Sequence, residues 1–430
     1  MDRRYRLFLL QSRQHSLGRR NAQRLRPGND SGRQAGIRTH LTYLMDKLVA
    51  DVEELYRSSF ACAAQCCARA PGRVEVLGNH TDYNEGLVLS AAIDRHLCVA
   101  VGRSDNTFEF VSGSFPERVV ISEVVPQKEY AWTNYALGVY HWLKAAGYPV
   151  APFRMAVTST IPQGAGLSSS AAFEVASGLA LGDLYGFKID KQELAHLCRK
   201  AEHTFAGANC GLLDQYSVLF GKQQHLLLID FRTLDYRPIS LAGLDIVFAI
   251  TESGVTHRLG ESAYNDRRIE CESAARYFSE KDPAVHSLRD VNPGKLHQAG
   301  DELQASALKR AQHVIGEIER VKAAIELLEQ KDLRGFGKLL YGSHESSLVN
   351  FENSCPELDS LVRIASQFEG AYGSRLTGGG FGGATLSVLD CTIEKHTFVR
   401  HLTDAYARET GHTCAIHFAT PAGGAEIIER

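Results

Sequence analysis

The chain has 430 residues, of which 44% are apolar and 23% charged, a composition typical of a globular protein long enough for two domains. No apolar run approaches the roughly 18–20 residues that cross a bilayer, so no membrane partner is expected. The net charge is −3, but residues 1–40 hold ten Arg and two Asp and carry +8, which leaves −11 on the remaining 390 residues. Such an acidic body argues against nucleic acid as the main partner.

The first 44 residues are predicted to be a disordered or non-native extension. They combine many arginines with a Gly, Ser, Asn and Asp patch, and their apolar cluster at 7–10 is too short for a signal-peptide core. Met45 begins an acidic, amphipathic stretch, "MDKLVADVEELY", which predicts the first helix of the fold. The ten cysteines form no CxxC pair and no zinc-like spacing, which is typical of reduced core residues in a cytoplasmic protein.

The apolar pattern then predicts strands mixed with helices. Strands are predicted at 73–78, 87–93, 96–102, 108–113, 153–162 and 225–231. Helices are predicted at 133–147, 170–186 and 190–207, the last with a capping box of Asp190 and Glu193 and an end at Gly207.

Beyond about residue 235 the pattern changes. Strands at 244–251 and 384–389 are separated by charged helices at 263–281 and 302–328, and the charges of the latter are interpreted as a solvated face. Mixed strands and helices in both halves indicate an α+β fold with two domains, 45–232 and 233–430.

Two glycine-rich segments predict close backbone approach to a ligand. In "PQGAGLSSSAA" (162–172) a strand ends, Gly164 and Gly166 free the backbone, and three serines open a helix, which together indicate a phosphate cradle. It matches neither the P-loop nor the dinucleotide fingerprint, and the alternative is a Gly/Ser turn with a serine N-cap. The second segment has five glycines within 378–383, and its alternative is a flexible hairpin loop.

Two acidic residues stand in apolar surroundings. Glu202 lies at the inner edge of the helix predicted at 190–207, and Asp214 lies between "GLL" and "QYSVLFG". A buried acid is costly unless it is paired, so each is either a functional carboxylate or one half of a structural salt bridge.

A third segment, "GNHTDYNEG" (78–86), packs His80, Asp82 and Tyr83 between two glycines without any packing period. Three motifs in order, "RAPGRVEVLGNHTDYNEGLVLSAAID", "PQGAGLSSSAAFEVA" and "LTGGGFGGATLSV", resemble those of the GHMP small-molecule kinases. The first motif, with "AEHTFAGANCGLLDQYS" and "SAYNDRRIECESAA", resembles their galactokinase branch in particular. The resemblance covers about residues 55–430. It implies an N-terminal ribosomal-protein-S5-like mixed α/β domain, a C-terminal α/β sandwich with an antiparallel sheet, and an active site in the interdomain cleft.

The resemblance also implies roles for matching residues. It assigns catalysis to Asp214 as the base and to Arg73, which would orient Asp214 and stabilise transition-state charge. It implies that Ser170 and Glu202 hold Mg²⁺. It also implies that the third motif, 378–383, closes over the substrate side. The residues that would wrap the ATP phosphates are Gly164, Ala165, Gly166, Leu167, Ser168, Ser169 and Ser170. The residues that would line the sugar pocket are Asn79, His80, Thr81, Asp82 and Tyr264.

The implied reaction is transfer of the ATP γ-phosphate to the anomeric hydroxyl of a sugar by a cytoplasmic monomer or weak homo-oligomer. The galactokinase pattern usually has glutamate at position 79, thought to accept a hydrogen bond from the C6 hydroxyl, whereas this chain has Asn79. Galactose therefore competes with galacturonate, N-acetylgalactosamine and arabinose as the substrate. A non-catalytic sugar sensor is the alternative of another class, which the complete "GLSSSAA" disfavours. If the pocket is an ordinary one, Asn79→Glu is expected to improve galactose use.

Overall fold

The computed structural model describes residues 30–162, 164, 166–208, 210–256 and 260–429. Its helices are α1 (Asp30–Phe60), α2 (Asn134–Ala145), α3 (Ser169–Tyr185), α4 (Lys191–Ala201), α5 (Leu213–Phe220), α6 (Gly260–Lys281), α7 (Pro293–Ala299), α8 (Ala305–Glu329), α9 (Leu333–Ser346), α10 (Pro356–Ser366) and α11 (Lys395–Thr410). Its strands are β1 (Cys66–Leu77), β2 (Leu87–Arg103), β3 (Phe108–Ser112), β4 (Val119–Ile121), β5 (Phe153–Ser159), β6 (His225–Asp230), β7 (Tyr236–Ser240), β8 (Ile246–Thr256), β9 (Ala371–Thr377), β10 (Gly382–Asp390), β11 (Ala415–Ala419) and β12 (Glu426–Ile427).

The N-terminal extension predicted for 1–44 falls largely outside the described residues, which exclude 1–29. Helix α1 begins at Asp30, ahead of the predicted start at Met45. Residues 45–430 form one compact unit, which carries every feature discussed below. The domain boundary near 232 stays a prediction.

Eight of the described strands form the first sheet, in the order β12-β1-β2-β5-β3-β4, with β6 joining β2 and β7 joining β6. Its pairs are antiparallel except for β3 and β5, which makes the sheet mixed. Helix α3 contacts β1 and β2, and α2, α4 and α5 pack on α3. A small residue on α3 lets α4 pack closely against it: a side chain on Gly178 would begin 2.4 Å from Leu194 of α4.

Four of the described strands form the second sheet, in the order β11-β8-β10-β9, with every pair antiparallel. Side chains alternate across β8, so that Val247 and Ala249 face α10 and α11, whereas Phe248 and Ile250 join the main core. The two sheets and their helices confirm the predicted α+β class.

The sequence interpretation differs from the structure for β2 and for α8, among other elements. The strands predicted at 87–93 and 96–102 are one strand, β2, whose pairing with β1 shifts where Asp94 and Arg95 intervene. The charges of α8 are not all solvated, because Arg310 and Glu317 are buried. Each is compensated inside the protein: Glu270 and Glu352 pair with Arg310, and Arg320 pairs with Glu317.

Candidate active site

The loop between β1 and β2, residues 78–86, is tightly braced by its own backbone. Gly78 has φ +97°, and a side chain there would begin 2.4 Å from the carbonyl oxygen of Leu87, so glycine is required. The Thr81 hydroxyl lies 2.9 Å from the carbonyl oxygen of Gly78 and 2.8 Å from that of Leu87. Thr81, a predicted sugar ligand, is therefore fully buried as a brace and does not line the cavity described below.

Helix α8 holds this loop from the other side. The Glu317 carboxylate accepts hydrogen bonds from the backbone N–H groups of Gly78 and Asn79, each at 2.9 Å. The His313 ring nitrogen Nε2 donates to the Asn79 carbonyl oxygen at 3.1 Å. Burial opposes the charge on Glu317, but the Arg320 guanidinium and further positive groups nearby outweigh it and lower the pKa of Glu317 to about 2. A permanently charged anchor thus fixes the loop, and the sequence interpretation missed it.

The Asn79 side chain is committed to protein partners. Its Nδ2 donates to Glu75 Oε1 and to the Gly378 carbonyl oxygen, both at 2.9 Å, and its Oδ1 accepts from Asn353 Nδ2 at 3.0 Å. Only 1% of the residue is exposed. Asn79 therefore ties β1 to the third glycine motif.

His80 is similarly engaged. Its Nδ1 lies 2.9 Å from the Tyr83 hydroxyl and its Nε2 lies 3.1 Å from the Gly379 carbonyl oxygen, so Nε2 carries the proton and Nδ1 accepts. Burial lowers the pKa of His80 to about 3, which keeps the ring neutral. The ring also packs on Phe351 and Tyr264, with centroids 4.4 and 5.0 Å away.

A cavity of about 320 Å³ opens where this loop meets the third glycine motif. The sequence-predicted residues that line it are Arg73, Asn79, His80, Asp82, Asp214, Tyr264, Gly378 and Gly379. Residues that the sequence interpretation did not single out are also present, among them Glu75, Cys210, Gly211 and Asn265. The cavity thus draws on β1, the following loop, the start of α5, α6 and the end of β9.

Asp82 faces this cavity in an unusual environment. Burial and the neighbouring Glu75 carboxylate raise the pKa of Asp82 to about 7 from its ordinary 3.8. Gly211 lies against it so closely that a side chain there would begin 1.7 Å from Asp82 Oδ2. The glycine therefore leaves room for this carboxylate, and the sequence signal for it was only its place in the galactokinase-like segment.

Asp214 meets Arg73 at the cavity wall. Arg73 Nε donates to Asp214 Oδ1 at 2.7 Å, and its Nη2 lies 2.6 Å from the same oxygen. Arg73 Nη1 donates to the Gly166 carbonyl oxygen at 2.6 Å, and Ser168 Oγ donates to Asp214 Oδ2 at 2.5 Å. The arginine thus links the carboxylate directly to the serine-rich loop.

The serine-rich loop leads into the N-terminus of α3. Gly166 has φ +67° and Ser168 has φ +54°, and the Ser168 side chain makes no capping bond to the helix. The N-cap alternative does not describe this serine, whose hydroxyl goes to Asp214 instead. Leu167 is buried in the core and anchors the loop, whereas Ala165 lies outside the described residues.

A second cavity of about 230 Å³ adjoins the start of α3. Ser169 and Ser170 line it together with aromatic side chains, of which Trp132 stacks on Phe115 at 5.5 Å between centroids and 14° between planes. The serine-rich loop therefore has an acidic, polar cavity at Asp214 and an aromatic cavity at Ser170.

Glu202 lies where α4 ends in a π-helical turn, Glu202–Ala206. It accepts hydrogen bonds from Gln215 Nε2 at 2.9 Å and from Cys210 Sγ at 3.1 Å, and the Ser170 side chain also bonds to it. Burial and the Asp214 carboxylate raise its pKa. Nearby Glu174 is buried with Oε1 unpartnered, and among the described residues no basic side chain pairs with Glu174 or Glu202. These acids together would favour a cation.

The third glycine motif is shaped by Asn353. A side chain on Gly380, which has φ +82°, would begin 2.2 Å from the Asn353 carbonyl oxygen, which also accepts from Phe381 N at 2.6 Å. A side chain on Gly378 would begin 3.7 Å from the Gly166 carbonyl oxygen. The two glycine segments therefore face each other across the site, which disfavours the flexible-hairpin alternative.

Three family models match the chain. Residues 54–103 match the galactokinase galactose-binding signature, 134–222 match the GHMP kinases N terminal domain, and 324–391 match the GHMP kinases C terminal. The chain is 38% identical over 376 residues to a galactokinase of Roseiflexus sp. (strain RS-1), which covers 87% of this chain and 96% of that protein. It is 37% identical over 393 residues to a galactokinase of Homo sapiens, which covers 89% of this chain and 97% of that protein.

Solved structures agree with the sequence comparisons. The crystal structure of Lactococcus lactis galactokinase complexed with galactose superimposes with a TM-score of 0.82 at 29% identity, covering 88% of this chain and 99% of that chain. A crystal structure of mevalonate kinase superimposes with a TM-score of 0.57 at 18% identity, which concerns the fold alone. The predicted two-domain GHMP kinase fold is confirmed.

Proposed function

Because the chain belongs to the galactokinase family of the GHMP kinases, we propose that it transfers the γ-phosphoryl group of ATP to the anomeric hydroxyl of galactose. The observation that carries the proposal is the junction of Asp214, Arg73 and the serine-rich loop at the wall of one cavity. In that cavity the Asp214 carboxylate can contact the hydroxyl of a bound sugar, and the nearby N-terminus of α3 can bind the phosphates of ATP.

Phosphoryl transfer asks a protein mainly to align the hydroxyl with the γ-phosphate and to neutralise the charge that develops. Asp214 accepts the proton of the attacking hydroxyl. Arg73 fixes the Asp214 carboxylate through Oδ1 and supplies positive charge beside the loop that cradles the phosphates. The glycines of this loop, with the backbone N–H groups that open α3, contact the phosphate oxygens, and the third glycine motif closes the sugar side.

Ser170 and Glu202 fit a magnesium ion that ATP brings with it. Among the described residues, no group of three or more His, Cys, Asp or Glu side chains is arranged as a metal cage. Mg²⁺ does not need one, since one or two protein oxygens and the phosphates complete its shell. When bound, the ion neutralises phosphate charge and offsets the uncompensated carboxylates of Glu202 and Glu174.

The aromatic cavity beside Ser170 suits the adenine base, which stacks well on a flat ring. The Trp132 ring is close to parallel with two other rings of this cavity, at 14° to Phe115 and 22° to Phe173. Trp132→Ala is expected to raise the KM for ATP about tenfold, since a lost stacking contact costs about 1–3 kcal/mol, while the KM for galactose changes little. Steady-state kinetics with each substrate varied in turn measures this. An unchanged KM for ATP would place the base elsewhere.

The unusual environment of Asp82 predicts a pH dependence. The ionised carboxylate accepts hydrogen bonds from sugar hydroxyls, and it loses its charge as the pH falls through about 7. The KM for galactose is therefore expected to rise about tenfold from pH 8 to pH 6, as the ionised fraction falls by about that factor. Asp82→Asn is expected to weaken galactose binding at every pH and to remove this dependence.

The same shift has a consequence for stability. The pKa of Asp82 is raised on folding, so ionisation of this carboxyl lowers the free energy of unfolding. The full loss of stability is present above about pH 7, and none of it remains below about pH 4. Asp82→Asn is therefore expected to raise Tm more at pH 8 than at pH 5. A galactose KM that is flat between pH 6 and pH 8 in the wild type would contradict the assignment of this titration.

The experiment that tests the function is ATP-dependent phosphorylation of a sugar panel: galactose, galacturonate, N-acetylgalactosamine, arabinose and glucose. We expect galactose to have the highest kcat/KM. A higher kcat/KM for another sugar would show that this is a kinase of the same family with a different substrate. Tight binding of galactose and ATP without turnover of any sugar would instead support the sensor alternative. The hydrogen bonds of Asp214 to Arg73 and to Ser168 of the serine-rich loop favour the enzyme over the sensor.

We propose that the enzyme acts in the cytoplasm on small molecules. Its partners are the sugar and ATP, with neither nucleic acid nor membrane, and it acts as a monomer or weak homo-oligomer. Among the described residues, no helix is long and apolar enough to span a bilayer. Cys98, Cys198 and Cys271 are reduced thiols in the core, which suits the predicted cytoplasmic location.

A further inference from the structure

Glu75 is an acidic residue of β1 whose neighbours in the sequence, Val74, Val76 and Leu77, are apolar and fully buried. It lines the sugar cavity and is 3% exposed. Its charge is compensated by Arg375 of β9, whose Nη1 lies 2.9 Å from Glu75 Oε1 and whose exposure is 0%. A charge pair this deeply buried costs desolvation energy and therefore calls for a specific reason.

The hydrogen bonds of this carboxylate are unevenly shared. Arg375 Nη1 and Asn79 Nδ2 both donate to Oε1, each at 2.9 Å. Among the described residues, Oε2 accepts no hydrogen bond. The backbone of Glu75 is meanwhile locked by Thr377, whose hydroxyl bonds to both its N–H and its carbonyl oxygen. The side chain is thus held rigidly with one acceptor oxygen left for a ligand.

Asn79 is less suited to that role, because both of its amide hydrogens are used by protein acceptors and its amide oxygen already accepts from Asn353. The carboxylate that the galactokinase pattern has at position 79 is absent here, and a carboxylate stands four residues earlier in contact with the same amide. Burial raises the pKa of Glu75, and the Arg375 guanidinium opposes this by favouring the ionised form.

We propose that Glu75 binds the sugar directly, its Oε2 accepting a hydrogen bond from a ring or C6 hydroxyl, with Asn79 and Arg375 as positioning residues. The inference rests on the proposed function and names the substrate class more closely. Glu75, Asp82 and Asp214 line the same cavity, so a neutral polyhydroxy sugar fits it, whereas a sugar acid would bring a fourth carboxylate among them.

The test is Glu75→Gln, assayed with galactose and with its singly deoxygenated analogues. The variant is expected to raise the KM for galactose at least tenfold, with the KM for ATP unchanged. One deoxygenated analogue, which lacks the contacted hydroxyl, is expected to show equal KM values with wild type and variant. Glu109→Gln is the matched control, since Glu109 is also a buried acid paired with arginines, Arg118 and Arg154, and lines neither cavity.

Glu75→Gln leaves the buried Arg375 charge unpaired, which can prevent folding. A double variant, Glu75→Gln with Arg375→Met, removes both charges and avoids this difficulty. Whichever of the two variants keeps the wild-type circular dichroism spectrum is used for the comparison. A folded variant with the wild-type KM for galactose would overturn the inference alone. A wild type that neither binds nor phosphorylates galactose would overturn the proposed function and the inference with it.

Discussion

Asp214→Asn is expected to lower kcat for galactose phosphorylation about 10³-fold or more, the scale of a lost general base with its positioning. The affinity for ATP should stay within about twofold, because the aromatic cavity and the start of α3 are untouched. The substitution is mild for the fold. The amide oxygen can still accept from Arg73, and the amide nitrogen can donate to the Ser168 hydroxyl in place of the present bond.

Asp230→Asn provides the control for this substitution. Asp230 also pairs with an arginine, Arg289 at 2.8 Å, and its side chain is 25% exposed against 21% for Asp214. It lines neither cavity, so its loss should lower stability slightly and leave kcat unchanged. Stopped assays of galactose 1-phosphate and equilibrium titration of ATP measure the two quantities. Near-normal turnover by Asp214→Asn would remove it from the chemistry.

The parts of the site that the sequence predicts are those encoded in short segments. Gly166 and Ser168 follow a strand and precede a helix, so their place beside a helix N-terminus could be inferred from local order alone, whereas the bond of Ser168 to Asp214 could not. Asp214 stands out as an acid among apolar residues, and its pairing with Arg73, 141 positions away, came from the resemblance to a family. The fold class followed from the mixture of periodicities.

The parts that the sequence does not predict are held by partners far away in the chain. Glu317 and His313 are read naturally as the polar face of a charged helix, because nothing local distinguishes them from their solvated neighbours. Arg375 lies 300 positions from Glu75, in a strand that the apolar pattern did not predict. One signal was available: opposite charges inside two otherwise apolar segments predict a buried pair once both segments are recognised as strands.

The structure also reverses the expected effect of Asn79→Glu. An ionised glutamate has no hydrogen to donate, so both bonds of Asn79 Nδ2, to Glu75 Oε1 and to the Gly378 carbonyl oxygen, would become contacts between acceptor atoms. A second carboxylate would share the one buried guanidinium of Arg375. We therefore expect Asn79→Glu to destabilise the fold by about 3 kcal/mol or more and to raise the KM for galactose.

Moving the carboxylate from position 75 to position 79 is expected to restore the stability and the galactose binding that Asn79→Glu alone loses. Glu75→Gln with Asn79→Glu keeps a single acid beside Arg375, and the glutamine at 75 can donate to the new carboxylate. We expect the double variant to recover most of the stability and turnover that Asn79→Glu loses. Denaturant unfolding and galactose kinetics measure both, and the coupling between the two substitutions is the quantity of interest.

Asn79→Gln is the matched control, because it has the length of glutamate without the charge and keeps the donors. If the longer side chain causes the destabilisation, Asn79→Gln and Asn79→Glu should lower the free energy of unfolding equally. If the charge causes it, only Asn79→Glu should lower the free energy of unfolding by several kcal/mol. An Asn79→Glu protein as stable as the wild type, with a lower KM for galactose, would mean that position 79 reaches the sugar by itself and that Glu75 is only its support.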